Sequence, residues 1–322
     1  MDRGLDNGAE AVVIGGMVLD VNATPAAATN RGTTAPGKIR YALGGVARNI
    51  AECMSKLGAK PYMISAVGFD LAGNMLLEPW RAAGLSVEVA AECVTPIWFE
   101  PVSVTKSKRI ASIAKLITYT SPNEDELIAM ANALSSSDRF LPVQKDGKSD
   151  RTSIKSLFER LKPAIWVLLE EGIKVVLVTL GPHGVFLCFK AVDGIKKHDS
   201  SKNSPFSFSR KLYEVVNVSC PPDRILGTPT SKGNYYVTVH FPALPASVVT
   251  LVGAGDCLVG GTLASVCAGL DIMQSIAVGM AAAKGAVETE STVPVEYQLA
   301  RIADDAGAIY SEAKVIYCES KL

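Results

Sequence analysis

Histidine, paired cysteine and net charge are what this sequence has least of. Three histidines occur in 322 residues, His183, His198 and His240, and they lie far apart. The seven cysteines, Cys53, Cys93, Cys188, Cys220, Cys257, Cys267 and Cys318, include no CxxC pair. A structural zinc site is therefore not expected, and the cysteines read as reduced core thiols. The 32 basic residues are balanced by 32 acidic ones. Zero net charge argues against a nucleic acid or an anionic membrane as partner, although a local basic pocket remains open. No apolar run reaches spanning length, and the polar, acidic residues 1–10 do not read as a secretory signal. No internal repeat is visible.

What is present is a core. Apolar residues make up 48% of the chain and charged residues 20%, enough for one large α/β domain or two small ones. Strand and helix patterns alternate through most of the length, which predicts a largely parallel sheet covered on both faces. The first strand is expected over residues 11–19, with Asp20 at its carboxyl end, where α/β sheets bind ligands. Residues 21–43, rich in Ala, Thr, Pro and Gly, read as a loop or small β excursion. A helix should follow Gly44-Gly45, with Ala47, Ile50, Ala51, Met54 and Leu57 at helical spacing and Gly58 as its stop.

Further along, strands are expected over 61–67, 95–104 and 116–120, and a polar, basic loop over 104–109. Helices are expected over 71–83, from 123, and over 154–171. Residues 174–179 are the most strand-like run, followed by a turn at 181–184 and a hairpin partner at 185–189. Residues 191–234 read as a low-regularity insertion. A strand at 235–241, helices at 256–268 and 272–288, and a last helix from near Pro294 complete the chain.

Three stretches carry chemistry. Gly253-Ala254-Gly255-Asp256 opens a helix, and its unblocked N–H groups and positive dipole end suit an anion, most plausibly phosphate. A carboxylate there is either a base beside a transferring phosphate or a helix cap, and both readings stand on local grounds. Gly44-Gly45 opens a second helix with Asn49 in its first turns, where glycine lets a ligand approach the backbone. Ser121-Pro122-Asn123-Glu124-Asp125-Glu126 starts a third helix, whose acids either complement the dipole or hold Mg²⁺ through water.

Together, Gly44-Gly45…Asn49, the N-x-x-E pattern of Asn123 to Glu126 and Gly253-Ala254-Gly255-Asp256 resemble the ribokinase-like (PfkB) family of carbohydrate and nucleoside kinases. Val67-Gly68…Asp70…Gly73 and Thr179-Leu180-Gly181…Gly184 are similar to two further family elements. The likeness spans residues 11–293 and is greatest to eukaryotic kinases of pseudouridine, on residues 13–20, 98–107 and 257–261.

The resemblance implies a three-layer α/β/α sandwich with a mostly parallel central sheet and a small β lid, its elements within 21–43. The implied activity is ATP-dependent phosphorylation of the 5′-hydroxyl of pseudouridine. A kinase for another ribosyl nucleoside or sugar, and an impaired isoform that retains nucleotide binding, are the alternatives. Asp256 would be the base, and Gly253, Ala254 and Gly255 the anion hole. Asp20, Gly45 and Asn49 would grip the sugar; Gly181, Gly184 and Ala283 would face ATP; Asn123 and Glu126 would position Mg²⁺ through water. Relatives often dimerise through lid strands, which puts a homodimer among the implied partners.

The chain departs from the family in two places. After Gly84 several dozen residues are missing, including part of the lid and a sheet strand. Thr250-Leu251-Val252 replaces the usual acidic or amide residue and threonines, where some members hold a monovalent cation. Finally, the chain ends Ser320-Lys321-Leu322, the tripeptide read by the peroxisomal import receptor, so a peroxisomal location is expected, with the cytosol as alternative.

Overall fold

The structure is a computed structural model, and it describes residues 11–26, 36–65, 67–68, 70–82, 96–135, 139–141, 153–191, 210–222 and 235–320. In chain order the elements are β1 (Val12–Ile14), β2 (Val18–Pro25), β3 (Gly37–Gly44), α1 (Val46–Lys56), β4 (Tyr62–Ile64), α2 (Leu71–Ala82), β5 (Trp98–Phe99) and α3 (Val104–Ser107). They continue with β6 (Tyr119–Thr120), α4 (Glu124–Leu134), α5 (Ile154–Glu170), β7 (Val175–Thr179), β8 (Val185–Ala191) and α6 (Arg210–Ser219). The last are β9 (Tyr235–Phe241), α7 (Ala254–Cys267), α8 (Ile272–Val287), α9 (Leu299–Glu312) and β10 (Lys314–Ser320). The chain divides into two compact units, residues 1–91, 203–219 and 246–306 forming the first, and residues 92–202, 220–245 and 307–322 the second.

In the first unit β1 and β4 pair in parallel, Val13 opposite Met63. Val13 and Met63 are buried, while Val12 and Ile14 are exposed on the other face of β1. α1, α7 and α8 carry the core of this unit. Cys53 and Met54 of α1, Val259 of α7 and Ile276 of α8 are all shielded from solvent. α7 and α8 approach so closely that a Cβ on Gly261 would lie 2.9 Å from the Gly279 Cα. Their small residues, at 258–265 and 277–286, are what permit that contact. β2 and β3 form an antiparallel hairpin of their own, Val18 opposite Gly44 and Pro25 opposite Gly37.

The second unit is built on a six-stranded sheet of order β10-β9-β8-β7-β6-β5. Its β5-β6-β7 part is parallel, and its β7-β8-β9-β10 part is antiparallel. The direction changes where the five-residue connection Leu180 to Gly184 is too short for a crossover. α4 and α5 bury Leu127, Met130, Phe158, Leu161 and Ile165 against Val176, Val178 and Phe186 of the sheet. α4 begins with a full capping box, and the Ser153 side chain caps α5.

Several expectations are corrected. Asp20 is not at the carboxyl end of a core strand: β1 stops at Ile14, and Gly15-Gly16 release the chain into the hairpin, where Asp20 sits in β2. The strand expected over 95–104 is only two residues long, and the basic stretch after it is helical, with Ser103 capping α3. The polar insertion at 191–234 contains α6, which buries Leu212 and Val216. The last helix starts at Leu299 rather than near Pro294, and residues 314–320, expected as a tail, form an edge strand on β9. The expected segment gap after Gly84, most of the loop at 135–153 and the terminal Lys321-Leu322 lie outside the described residues.

Candidate active site

The residues expected at a sugar-kinase site fall into both units. In the first unit the helix α7 begins at Gly253, whose φ of 86° is left-handed. A Cβ there would lie 2.1 Å from the Thr292 carbonyl oxygen, so the turn needs glycine for both torsion and space. No side chain caps this helix start. The Gly255 and Asp256 N–H groups belong to the first turn, which has no intrahelical acceptor, while Ala254 N lies 3.4 Å from the Leu251 carbonyl. Among the described residues, nothing beyond its own helix comes within 4 Å of where a Gly255 Cβ would stand. An open, donor-rich helix start of this kind is suited to an anion.

Asp256 does not act as a cap. Its Oδ2 instead accepts a 2.7 Å hydrogen bond from Asn49 Nδ2, a residue 207 positions earlier in the chain. Burial pushes the Asp256 carboxyl above its ordinary pKa, and the Asn49 amide partly opposes that shift. A carboxyl of raised proton affinity thus stands at an uncapped helix start. Asn49 stands in the first turns of α1, which starts at Gly45. Gly45 has a φ of 102°, and a Cβ on it would lie 2.5 Å from the Gly16 carbonyl oxygen. The expected pair of helix starts is therefore real, and Asn49 joins them.

Two residues that sequence reasoning did not single out complete this group. Arg48 Nη1 donates to the Asn49 Oδ1 at 3.0 Å and to the Leu43 carbonyl at 2.8 Å. The Thr292 hydroxyl lies 3.2 Å from the same Asn49 Oδ1. Arg48 had a signal in the sequence, as a cation in the first turn of a helix whose neighbours are apolar. Thr292 had none, since it acts from a loop. Asp20 lies on the hairpin with a carboxylate oxygen 2.8 Å from the position a Gly44 Cβ would take, one residue from Gly45. Ala283 is a half-buried residue of α8.

The second unit brings its candidates to the carboxyl ends of β5, β6 and β7, the end where parallel strands present ligand-binding residues. Glu100 follows β5, Ser121 and Asn123 follow β6, and Gly181 follows β7. The Trp98 indole N–H donates to Ser121 Oγ at 2.8 Å, and that hydroxyl donates to the Glu100 carboxylate. Asn123 and Glu126 form the capping box, Asn123 Oδ1 accepting from Glu126 N at 2.9 Å and Glu126 Oε2 from Asn123 N at 3.0 Å. Burial raises the Glu126 pKa, opposed by the Asn123 N–H bond and reinforced by Asp125. Among the described residues no cluster of three or more Asp, Glu, His or Cys could hold a metal directly. One carboxylate beside a helix start fits a water-mediated Mg²⁺, which keeps most of its own water shell.

Gly181 and Gly184 part company here. Gly181 is exposed with open space around it, as a ligand-facing residue requires. Gly184 is buried, and a Cβ on it would lie 2.0 Å from the Phe241 carbonyl oxygen. Its glycine is demanded by the packing of the β7–β8 turn on β9.

In the first unit, glycine-led helix starts and a carboxylate turned toward Asn49 suit a phosphotransferase with an alcohol group as acceptor. The comparisons agree. The pattern of the pfkB family carbohydrate kinases matches residues 9–92 and 224–296. A pseudouridine kinase of Arabidopsis thaliana is 40% identical over 375 residues, covering 95% of this chain and 98% of that one. A pseudouridine kinase of Escherichia coli (strain K12) is 39% identical over 77 residues, 24% of this chain and 25% of that one. The Arabidopsis thaliana ribokinase complexed with ribose and ATP superposes with a TM-score of 0.59 at 16% identity, covering 92% of this chain and 98% of that one. The chain belongs to the pfkB family of carbohydrate kinases, and its fold is that of the ribokinases.

The alignment with the Arabidopsis pseudouridine kinase spans 375 residues, whereas 95% of 322 is about 306. About 70 positions of that alignment therefore have no counterpart in this chain.

Proposed function

We propose that this chain transfers the γ-phosphoryl group of ATP to the 5′-hydroxyl of pseudouridine, giving pseudouridine 5′-phosphate and ADP. The likeness to the Arabidopsis pseudouridine kinase over nearly its whole length supports the substrate. The observation that carries the chemistry is the Asn49–Asp256 contact at an open helix start. Asp256 takes the proton of the 5′-hydroxyl as its oxygen attacks the γ-phosphorus. The N–H groups of Gly255 and Asp256, with the backbone from Gly253 through Ala254, stabilise the charge on the transferring group. Asp20, Gly45 and Asn49 hold the sugar hydroxyls. Gly181 and Ala283 face ATP in this reading, while Gly184 shapes the turn. Asn123 and Glu126 hold water of the Mg²⁺ shell, and the ion supplies charge neutralisation at the phosphates when bound. A monovalent cation is not needed by any of these roles.

The test is ADP release by the purified chain with ATP, Mg²⁺ and a panel of pseudouridine, uridine, adenosine and ribose. Pseudouridine should give the highest kcat/KM. A faster reaction with ribose or another nucleoside would overturn the substrate. The missing positions favour one second reading, an impaired isoform that binds ATP without turnover. ATP binding by calorimetry with no ADP release on any acceptor would establish it.

Two partners are also proposed. The hairpin carries an apolar face on which Val21 lies opposite Tyr41 and Ala23 opposite Ile39, and Val21, Ile39 and Tyr41 are each more than half exposed. A two-stranded ribbon with a bare apolar face calls for a cover, and a second copy of the chain is the occupant proposed. Light scattering should give twice the chain mass, falling to one chain mass in Tyr41→Asp; a monomeric parent would overturn it. The import receptor is the other partner. Removing Leu322 from a protein tagged at its N-terminus should move it from peroxisomes to the cytosol, and unchanged targeting would count against the signal.

A further inference from the structure

We propose that Arg48 is a positioning residue for phosphoryl transfer, setting the orientation of the Asn49 amide and through it the direction in which the Asp256 carboxylate faces. The inference rests on Asp256 being the base.

Arg48 is poorly placed for stability. It occupies the third position of α1, where the positive end of the helix dipole disfavours a cation, and no acid stands in that turn. It is 9% exposed. Burial holds its guanidinium below its ordinary pKa, with Glu52 restoring part of the loss. Residues that local rules disfavour are expected where function retains them.

What Arg48 gains is a fixed fork. One nitrogen pairs with the Glu52 carboxylate one turn on. Lys56 Nζ, one turn further, holds the other Glu52 oxygen at 2.8 Å and the Pro294 carbonyl at 2.7 Å. The three residues form a ladder along one face of α1, and its top rung is the guanidinium. The second nitrogen of Arg48 then reaches Asn49 Oδ1.

The amide has two ways round. Guanidinium is a donor only, so the amide must turn its oxygen toward Arg48; the Thr292 hydroxyl donates to the same oxygen but would accept either orientation. The NH₂ group is thereby left facing Asp256, where it donates to Oδ2. Oδ2 is occupied, and Oδ1 remains for the substrate proton. Flipped, the amide would set a carbonyl oxygen against the carboxylate and drive it from its place. A displacement of that kind costs catalysis more than binding.

The experiment uses the full chain with ATP and the best acceptor of the panel. Arg48→Met should lower kcat roughly tenfold with the KM for ATP within about twofold of the parent. Arg48→Lys, which retains the cation and an ion pair with Glu52 but not the fork, should recover part of that loss and stand about threefold below the parent. In an Asp256→Asn background, Arg48→Met should cost less than about twofold, because the base it orients is gone. A parental kcat in Arg48→Met, or an undiminished cost in the Asp256→Asn background, overturns the inference while leaving Asp256 as the base. If Asp256→Asn itself turns over normally, the base reading fails and this inference fails with it. Should Arg48→Met not fold, Arg48→Lys decides alone, and a parental kcat there overturns the inference.

Discussion

Asp256→Asn is expected to lower turnover by roughly 10²–10⁴-fold, the usual worth of a positioned base. ATP binding should be nearly unchanged, since the helix start proposed to receive the phosphates is made by backbone N–H groups. Asparagine preserves an oxygen for the Asn49 amide, so the 2.7 Å contact has a successor. The same substitution makes a stability prediction of definite sign. Burial raises the Asp256 pKa in the folded chain, so folding favours the protonated acid. The stability that protonation contributes is complete below the unfolded pKa and is lost as pH rises through the folded one. At neutral pH the parent therefore carries a buried negative charge that the Asn variant lacks. The variant should melt no lower than the parent at neutral pH, and its advantage should shrink as pH falls through the carboxylate range. Loss of activity with unchanged or improved stability separates a base from a structural acid. The parent's kcat/KM should likewise fall on the acid side at a pH above the ordinary aspartate value.

The second large effect contrasts two glycines of the same turn. Gly253→Ala puts a Cβ 2.1 Å from the Thr292 carbonyl oxygen at a φ of 86°. Left-handed torsion in a non-glycine residue costs about 1–3 kcal/mol, and the backbone clash adds to it. The urea midpoint should drop clearly, and activity should be lost with the turn. Among the described residues, Gly255→Ala meets nothing within 4 Å beyond its own helix, and it needs no unusual torsion. Its stability should be parental or slightly higher, because alanine is the better helix former. Its methyl group nevertheless enters the space in which the transferring phosphoryl group is proposed to sit, so turnover should fall at least roughly tenfold. A parental midpoint for Gly253→Ala would show that the turn is not as described. Parental turnover for Gly255→Ala would remove the anion from this helix start.

Much of this site was legible because helix starts are local. Gly45 before α1, Asn123 before α4 and Gly253 before α7 each announce a helix within a few residues, and each helix is there. At Asn123 to Glu126 the helix start was legible from Pro122 and the acids of its first turn, whereas the reciprocal capping box emerged only in the structure. The hairpin at residues 18–44 was visible only as something outside the core, because its Ala, Thr and Pro content blurs the alternation that marks a strand. α6 was hidden for a different reason: its amphipathic run is only ten residues long and sits in a polar stretch. β10 was hidden because it is an edge strand, whose register against His240 to Tyr235 depends on a partner about 75 residues away.

The sequence by itself determined the class of chemistry, through the family resemblance that its motifs carry together. A glycine turn ahead of an acid, a second glycine turn ahead of an asparagine and an acidic helix start are short-range patterns, each of which taken alone left a capping or dipole role open. Tertiary structure decided how those parts are used. It turned Asp256 away from its own helix and toward Asn49, moved Asp20 from a core strand to the hairpin, and gave Gly184 a packing role that Gly181 does not share. It also made Arg48 and Thr292 part of the site. The physical reason is the same in each case: which hydrogen bond a side chain makes, and how far burial shifts its proton affinity, depends on neighbours brought near only by folding.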